Sequence, residues 1–484
     1  MSVNVLVENR EERLNSIIAY GGVSTEILGK FKEKCLKNAD RSFTQAFQCQ
    51  QMTSILTLIT VKDAVMLIHA PVGCTGCASF MNSAFRRGQI LRGVKNPINA
   101  KWVATDLDES DVIHGGEEKL REAILEIEKR HKPKIIFVLT SCASGIIGDD
   151  VEGVIANVSK EVDAKVLPVN CEGFKTKITA TGYDACYNAI LNHILDEEPK
   201  PKDPNLVNVL SPFSINKKDH IELERLLSAI GIKANFVPAY AGLEDIERIT
   251  SAAATTTVCH VHGEYFMDVL EKKYGIPYTR EVMPLGIEST DKWLLEVAGL
   301  VGKTKEAKEL IKKEHERIKP EIDYLKSQLK GKRAFISGGP ARATTAGTLA
   351  QELGIELVGL HLYHFDELVG EEIKRLVESY GSFNVSVANM QPFEQANLIQ
   401  RLKPDLFIGV GTWIAKQGIT SASVLDQLRN SLGYEGALVV GRKLADAVKN
   451  PSFGEKLAKW RKLPYKQEWF DENPFKYLKL EEVV

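Results

Sequence analysis

The stretch KIIFVLTSCASGIIGDD, residues 134–150, decides how the chain is read. IIFVL is short, apolar and rich in β-branched and aromatic side chains, the pattern of a strand buried on both faces. Polarity sets in at Thr140, and Cys142 follows. Small residues and glycine then break the strand, and a helical pattern near Asp149–Val162 starts with acidic side chains in its first turn, where the helix dipole favours them. A strand that feeds a helix predicts a parallel α/β sheet, and ligands bind at the carboxyl edge of such a sheet. Cys142 stands on that edge.

The same alternation extends in both directions. DAVMLIHAP (63–71) reads as a strand, as does AKVLPVNC (164–171), which leads to a helix near Gly182–Leu195. DEEPKPKDPNLV (196–207) is rich in proline and charge and reads as a linker. Strands are then expected at VNVLSPF (207–213), KANFVPAY (233–240) and TTTVCHVH (255–262). Residues 303–330 form a long, charged helical stretch, read as a solvated spacer interrupted at Pro320. From Lys332 the alternation restarts with KRAFISGG, IELVGLHLY, NVSVAN and DLFIGVG. The expected fold is α/β, with three Rossmann-like domains built on parallel sheets. The expected boundaries are an N-terminal arm over 1–34 and α/β domains over 35–203, 204–330 and 331–484.

The 484 residues, 44% hydrophobic and 26% charged, suit a large globular protein. A formal net charge of −2 gives no reason to expect nucleic acid or an anionic membrane as partner. The charged N-terminus lacks a secretory signal pattern, and no apolar run is long enough to span a bilayer, so a cytoplasmic protein is expected. VGKT (301–304) lacks the first glycine of a phosphate loop and follows a helical pattern. GVG (409–411) lacks the third glycine of a dinucleotide site, and there is no G-x-S-x-G elbow. CTGC (74–77) has dithiol spacing, but the surrounding pattern is far too long for a thioredoxin-like domain.

Eight cysteines are too few for a disulfide scaffold of this length. Cys74, Cys142, Cys171 and Cys259 nonetheless fall at or near the carboxyl ends of expected strands. Soft metals and iron–sulfur clusters are the chemical reason to collect thiolates there. The compact ferredoxin spacing is absent, so any cluster must be assembled from distant segments.

These segments resemble those of the nitrogenase component 1 family, α-type subunits in particular, over most of the chain. Cys49, IHAPVGC (68–74) and TSCASGIIGDD (140–150) are similar to the family's three-cysteine half-site, with DVIHGGEEKL (111–120) between the second and third cysteines. LPVNCEGF (167–174), CHVHGEYFMDVLEKKYGIP (259–277) and LGYEGA (432–437) resemble α-type segments, although PLGIESTDKWL (284–294) has a β-type flavour. The resemblance implies that Cys49, Cys74 and Cys142 hold an interfacial, P-cluster-like iron–sulfur cluster. Cys259 would anchor a second, complex iron–sulfur cofactor. It further implies an α₂β₂ heterotetramer with a β-type subunit, a transient ATP-hydrolysing iron protein as electron donor, and a small-molecule substrate.

Departures from the family pattern bear on that second cofactor. Thr179 and Tyr183 stand where nitrogenase α subunits carry glutamine and histidine. ITSASVLDQLRNSLGYEG (419–436) holds no histidine, and the family's lysine is replaced near Thr412–Trp413. A cofactor without homocitrate, with unassigned heterometal, is therefore expected. His260, His262, His361 and His364 are candidates for a replacement nitrogen ligand. Arg342, after the turn in SGGPARATT (337–345), is expected to neutralise an anionic cluster. His69 is expected to be structural. Within the family the mixture is most similar to nitrogenase-like methylthio-alkane reductases, which implies C–S bond cleavage. A cofactor-assembly scaffold, nitrogenase proper and a tetrapyrrole-reducing relative are the alternatives.

Overall fold

The computed structural model describes residues 7–45, 48–212, 217–409, 412–424, 430–460 and 463–479. Outside them lie two residues of the GVG stretch and residues 425–429 of the histidine-free stretch, together with the side chains of Thr412 and Trp413, where the lysine replacement was read.

Three sheets carry the chain. The first has four parallel strands in the order Trp102–Ala104, Ala64–Ile68, Ile135–Leu139, Lys165–Val169. Its centre is IIFVL, every residue of which is fully buried. Period-two alternation explains why both faces are apolar. Ile136 and Val138 join Leu120, Ile124, Val151 and Ile155 from the flanking helices. Ile135, Phe137 and Leu139 face the other way, against Ile55, Leu58 and Ile190.

The middle sheet has three parallel strands in the order Lys233–Pro238, Asp203–Ser211, Ala252–Thr257. Its central strand starts inside the stretch expected to be linker. Pro204 is tolerated there because it stands at the strand's start, before a register shift between Asp203 and Val207.

The C-terminal sheet has six strands. Five are parallel, and the sixth, Tyr20–Val23, pairs antiparallel with Asn384–Val387. The segment expected to be an arm thus closes an edge of this sheet. Ile17, Tyr20, Ile27 and Leu28 join the largest core, which also binds the middle and C-terminal sheets together.

The charged stretch after 303 departs from expectation. Thr304–Leu329 is one helix with Pro320 inside it, not two pieces. It is also more than a solvated spacer, because Ala307, Ile318, Leu325 and Leu329 are buried along one side. Proline removes one backbone donor from the helix, and a packed stripe on both sides of it offsets that loss. Among the described residues no helix is long and apolar enough to cross a membrane.

Candidate functional site

The first thiol group forms at the carboxyl edge of the first sheet. Cys142 opens the helix Cys142–Ile147, three residues past the end of its strand. Ser141 caps that helix, its hydroxyl accepting from the Ser144 N–H at 3.3 Å. Cys74 lies in the first turn of the helix Val72–Leu91, which follows the neighbouring strand. Cys49 comes from outside the sheet, at the N-cap of the helix Gln50–Leu58.

Two buried glutamines dock that helix. The Gln50 amide donates to the Glu172 carbonyl and the Gln51 amide to the Thr140 carbonyl, each at 2.7 Å. The second bond reaches the strand end that presents Cys142. At Gly182 an added Cβ would stand 2.4 Å from the Gln50 carbonyl oxygen. Only glycine lets the helix Thr181–His193 come this close.

Gly173 fixes how near the thiols are. A Cβ there would lie 3.4 Å from Cys142 Sγ and 3.5 Å from Cys49 Sγ. Burial raises the Cys74 thiol, and the charges of Cys142 and Cys49 raise it further, which places all three in one electrostatic neighbourhood. All three are exposed. Among the described residues no three His, Cys, Asp or Glu side chains are grouped around a single ion position. The thiols are near enough to act on one another electrostatically. Exposed apolar side chains lie on the same elements: Val72 and Phe80 on the Cys74 helix, Ile146 on the Cys142 helix, and Phe174 next to Gly173.

His69 braces this edge from beneath, as expected of a structural residue. It is fully buried, with Nε2 at 2.8 Å from Asp149 and Nδ1 at 3.1 Å from Thr105 Oγ1. The other Asp149 oxygen accepts the Gly116 N–H at 2.9 Å. The glycine pair between the second and third cysteines is thereby tied to the residues after Cys142. Cys171 and Cys186 are buried packing groups whose thiols burial pushes up, Cys186 to about 12. Cys77 is half-buried and also pushed up to about 12 by burial, with the Cys49 charge adding to it. Cys35 is exposed, with its sulfur on the Lys30 carbonyl.

The second group is closed. Cys259 is 3% exposed and caps the helix His260–Tyr274, just past the strand Ala252–Thr257. Burial raises its thiol. Arg342, the N–H groups of Val261 and His262, and Arg10 all act the other way. That donor set favours a thiolate carrying a negative ligand.

Arg342 donates to Ser431 Oγ at 3.2 Å, and Ser431 and Leu432 donate backbone N–H groups to Asp219. The Tyr183 ring lies 4.5 Å from that of His262. Burial, with Arg342 and Arg10 nearby, pushes His262 down to about 3. Burial likewise takes His260 down to about 4. Thr179 sits half-buried in the turn before the Tyr183 helix, its carbonyl accepting the Gly182 N–H.

The other two histidine candidates lie along the C-terminal sheet. His361 is fully buried in the strand Glu356–Leu362, with Nδ1 at 3.1 Å from Ser386 Oγ and Arg41 as its charged neighbour. His364 lies beside Asp366, whose carboxyl it helps hold low together with Arg10. His260 and His262 are thus the histidines on the Cys259 helix itself, and His361 and His364 are on another element.

Three residues went unread in the sequence. Arg10 is fully buried, with Nε and Nη2 on the Asp184 carboxylate at 2.8 and 2.7 Å and Nη2 also on the Val261 carbonyl at 2.7 Å. Its Nη1 is buried, and among the described residues it has no acceptor. The buried Gln50 and Gln51 complete the set. Nothing in a segment as polar as ENREERL marks one arginine as interior.

The family model for nitrogenase component 1 type oxidoreductases matches residues 49–449. The nitrogenase iron-molybdenum cofactor biosynthesis protein NifE of Methanococcus maripaludis is 28% identical over 455 residues, covering 91% of this chain and 92% of that protein. The nitrogenase molybdenum-iron protein alpha chain of Methanothermobacter thermautotrophicus is 29% identical over 406 residues, covering 81% and 85%. Among solved structures, nitrogenase Cp1 at pH 6.5 superposes with a TM-score of 0.72 at 22% identity, over 88% of this chain and 93% of that one, which shows a shared fold. By the family model that covers most of its length, this chain belongs to the nitrogenase component 1 type oxidoreductase family.

Proposed function

We propose that this chain is the α-type, cofactor-carrying subunit of a nitrogenase-like reductase. The observation that carries the reading is the pairing of two thiol sites in one chain. One is an open set of three with exposed apolar side chains on the same elements, and the other is a closed single thiol among cations.

On this reading Cys49, Cys74 and Cys142 hold half of an interfacial, P-cluster-like cluster, and a β-type subunit covers the exposed side chains around them in an α₂β₂ assembly. Cys259 anchors a second iron–sulfur cofactor without homocitrate, and the donor Arg10 leaves over fits an anionic group there. When bound, the two groups supply a one-electron relay and a soft iron face for a sulfur-bearing substrate. Arg342 neutralises charge, and Tyr183 and Thr179 offer hydroxyl protons to the substrate side. His262, held neutral, supports the Tyr183 ring. His361 and His364, from a second element, remain candidates for the replacement nitrogen ligand.

Electrons would come from an ATP-hydrolysing iron protein. Reductive cleavage of a methylthio-alkane takes up two electrons and two protons and releases a thiol and a hydrocarbon. The test is turnover by the complex with such an iron protein and MgATP. Thiol release that requires ATP and disappears in Cys259→Ala supports the reading. Similarity to NifE along nine-tenths of the chain favours a second reading, a cofactor-assembly scaffold. A scaffold would bind the second cluster, hand it to an acceptor protein and release no thiol.

A further inference from the structure

The N-terminal segment places one residue against Cys259 that no motif announces. The short helix Arg10–Arg13 carries Arg10 into the interior, where its guanidinium bridges two helices. Asp184, next to Tyr183, takes Nε and Nη2, and the Val261 carbonyl, two residues past Cys259, takes Nη2 again. Arg13 reinforces the bridge through Asp184 at 3.1 Å and through Glu264. Two of the three guanidinium nitrogens are thus committed. The third, Nη1, is buried, and among the described residues it has no acceptor.

A guanidinium keeps its charge in the interior, and an unanswered buried donor is costly. A side chain placed this way needs one more acceptor, preferably an anion. The Asp366 carboxylate also acts on Arg10 but makes no hydrogen bond to Nη1, and the ligand-bearing group at the start of the helix that Arg10 touches is Cys259.

We propose that Arg10 is an anion-binding residue of the Cys259 site, so that this site is complete only when the N-terminal segment is docked. The proposal rests on the reading of Cys259 as a cluster ligand. It makes the segment before the first sheet part of the cofactor pocket. An anionic cluster on Cys259 would take the free Nη1 donor. By linkage, a group that binds only the docked form holds the segment in place. Loading and docking are then one coupled event.

Amide hydrogen exchange of Arg13, Leu14 and Ser16, whose N–H groups bond to Asn9 and Arg10 carbonyls, reports docking directly. The samples are the anaerobically purified complex with its native partner, as wild type and as Cys259→Ala. Exchange at these amides is expected to be on the order of tenfold slower in the wild type, where the cluster is bound. In Arg10→Met, iron is expected to fall by the same amount as in Cys259→Ala while the interfacial cluster is kept, and Arg10→Lys is expected to restore part of it. Equal exchange in wild type and Cys259→Ala, with full iron in Arg10→Met, overturns the proposal. If Arg10→Met does not fold, the wild-type comparison decides alone. Full iron in Cys259→Ala would instead overturn the cluster-ligand reading beneath it.

Discussion

The two thiol sites start from the same local device and end in different chemistry. In each, a parallel strand ends, the chain turns, and a cysteine stands where the next helix begins: Cys142 after Ile135–Leu139, Cys259 after Ala252–Thr257. Around Cys142 the sheet edge is open, two further thiols converge, and apolar side chains are left exposed. Around Cys259 the third sheet and the N-terminal segment close over the strand end and bring Arg342 and Arg10 with them. The difference teaches that the strand-to-helix turn only presents a sulfur. Burial and charge then set apart an open group of thiols from a closed single one, which on the proposed reading become a shared half-site and the anchor of a second cluster.

The sharpest way to break that comparison is to remove one sulfur from each side. Cys142→Ala is expected to cost the interfacial cluster and the partner subunit together, read by iron content and by complex mass. Cys259→Ala is expected to cost only the second cluster and leave the assembly intact. A complex that dissociates in both variants would erase the distinction.

Next in size is Gly173→Val. A Cβ at this position already stands 3.1 Å from Cys49 Cβ and 3.4 Å from Cys142 Sγ, so a branched side chain fills the space between the thiols. Interfacial iron is expected to drop several-fold with the second cluster kept. Retained interfacial iron would mean that the cluster sits away from Gly173.

Alkylation of the cluster-free chain sharpens the contrast in exposure. Cys49, Cys74 and Cys142 should label on the order of a hundredfold faster than Cys171, Cys186 and Cys259, which react only through opening. Mass spectrometry of tryptic peptides reads this out. Cys77, pushed up to about 12, should lag behind Cys49 at neutral pH despite partial exposure.

The smallest effect concerns the support beneath Arg342. Burial raises Asp219 from 3.8 to about 6, against two backbone donors and Arg342. The folded chain therefore holds this proton more tightly than the unfolded one. Its contribution to stability is fully present below 3.8 and fades as pH rises through about 6. Asp219→Asn should flatten that part of the pH–stability curve, a loss on the order of 1–3 kcal/mol in the parent. Thermal melts of the cluster-free chain between about pH 4 and about pH 7 are the measurement.

Three strands of the first sheet were legible because IIFVL and its neighbours are continuous apolar, β-branched runs buried on both faces, whereas the three-residue edge strand Trp102–Ala104 is too short to give such a run. The thiols at the sheet edges followed from the same map. Contacts with no local signal were not legible. Tyr20–Val23 became a strand despite two central glycines, because the C-terminal sheet had an edge to cover. Thr304–Leu329 stayed whole through Pro320 because tertiary packing outweighs a single lost helical bond. Arg10 reads as a surface charge until its partners Asp184 and Val261, far along the chain, are brought to it. Gln50 and Gln51 reach Glu172 and Thr140 by the same long-range route.

The central claim is that one chain carries two separate cluster sites. It is tested most directly by counting iron and acid-labile sulfide in the anaerobically purified complex, for wild type and Cys259→Ala side by side. The account expects iron for two large clusters in the wild type, with no stoichiometric molybdenum. It expects Cys259→Ala to lose the second share and keep the first. A wild-type complex with iron for only one four-iron cluster, unchanged by Cys259→Ala, would contradict it.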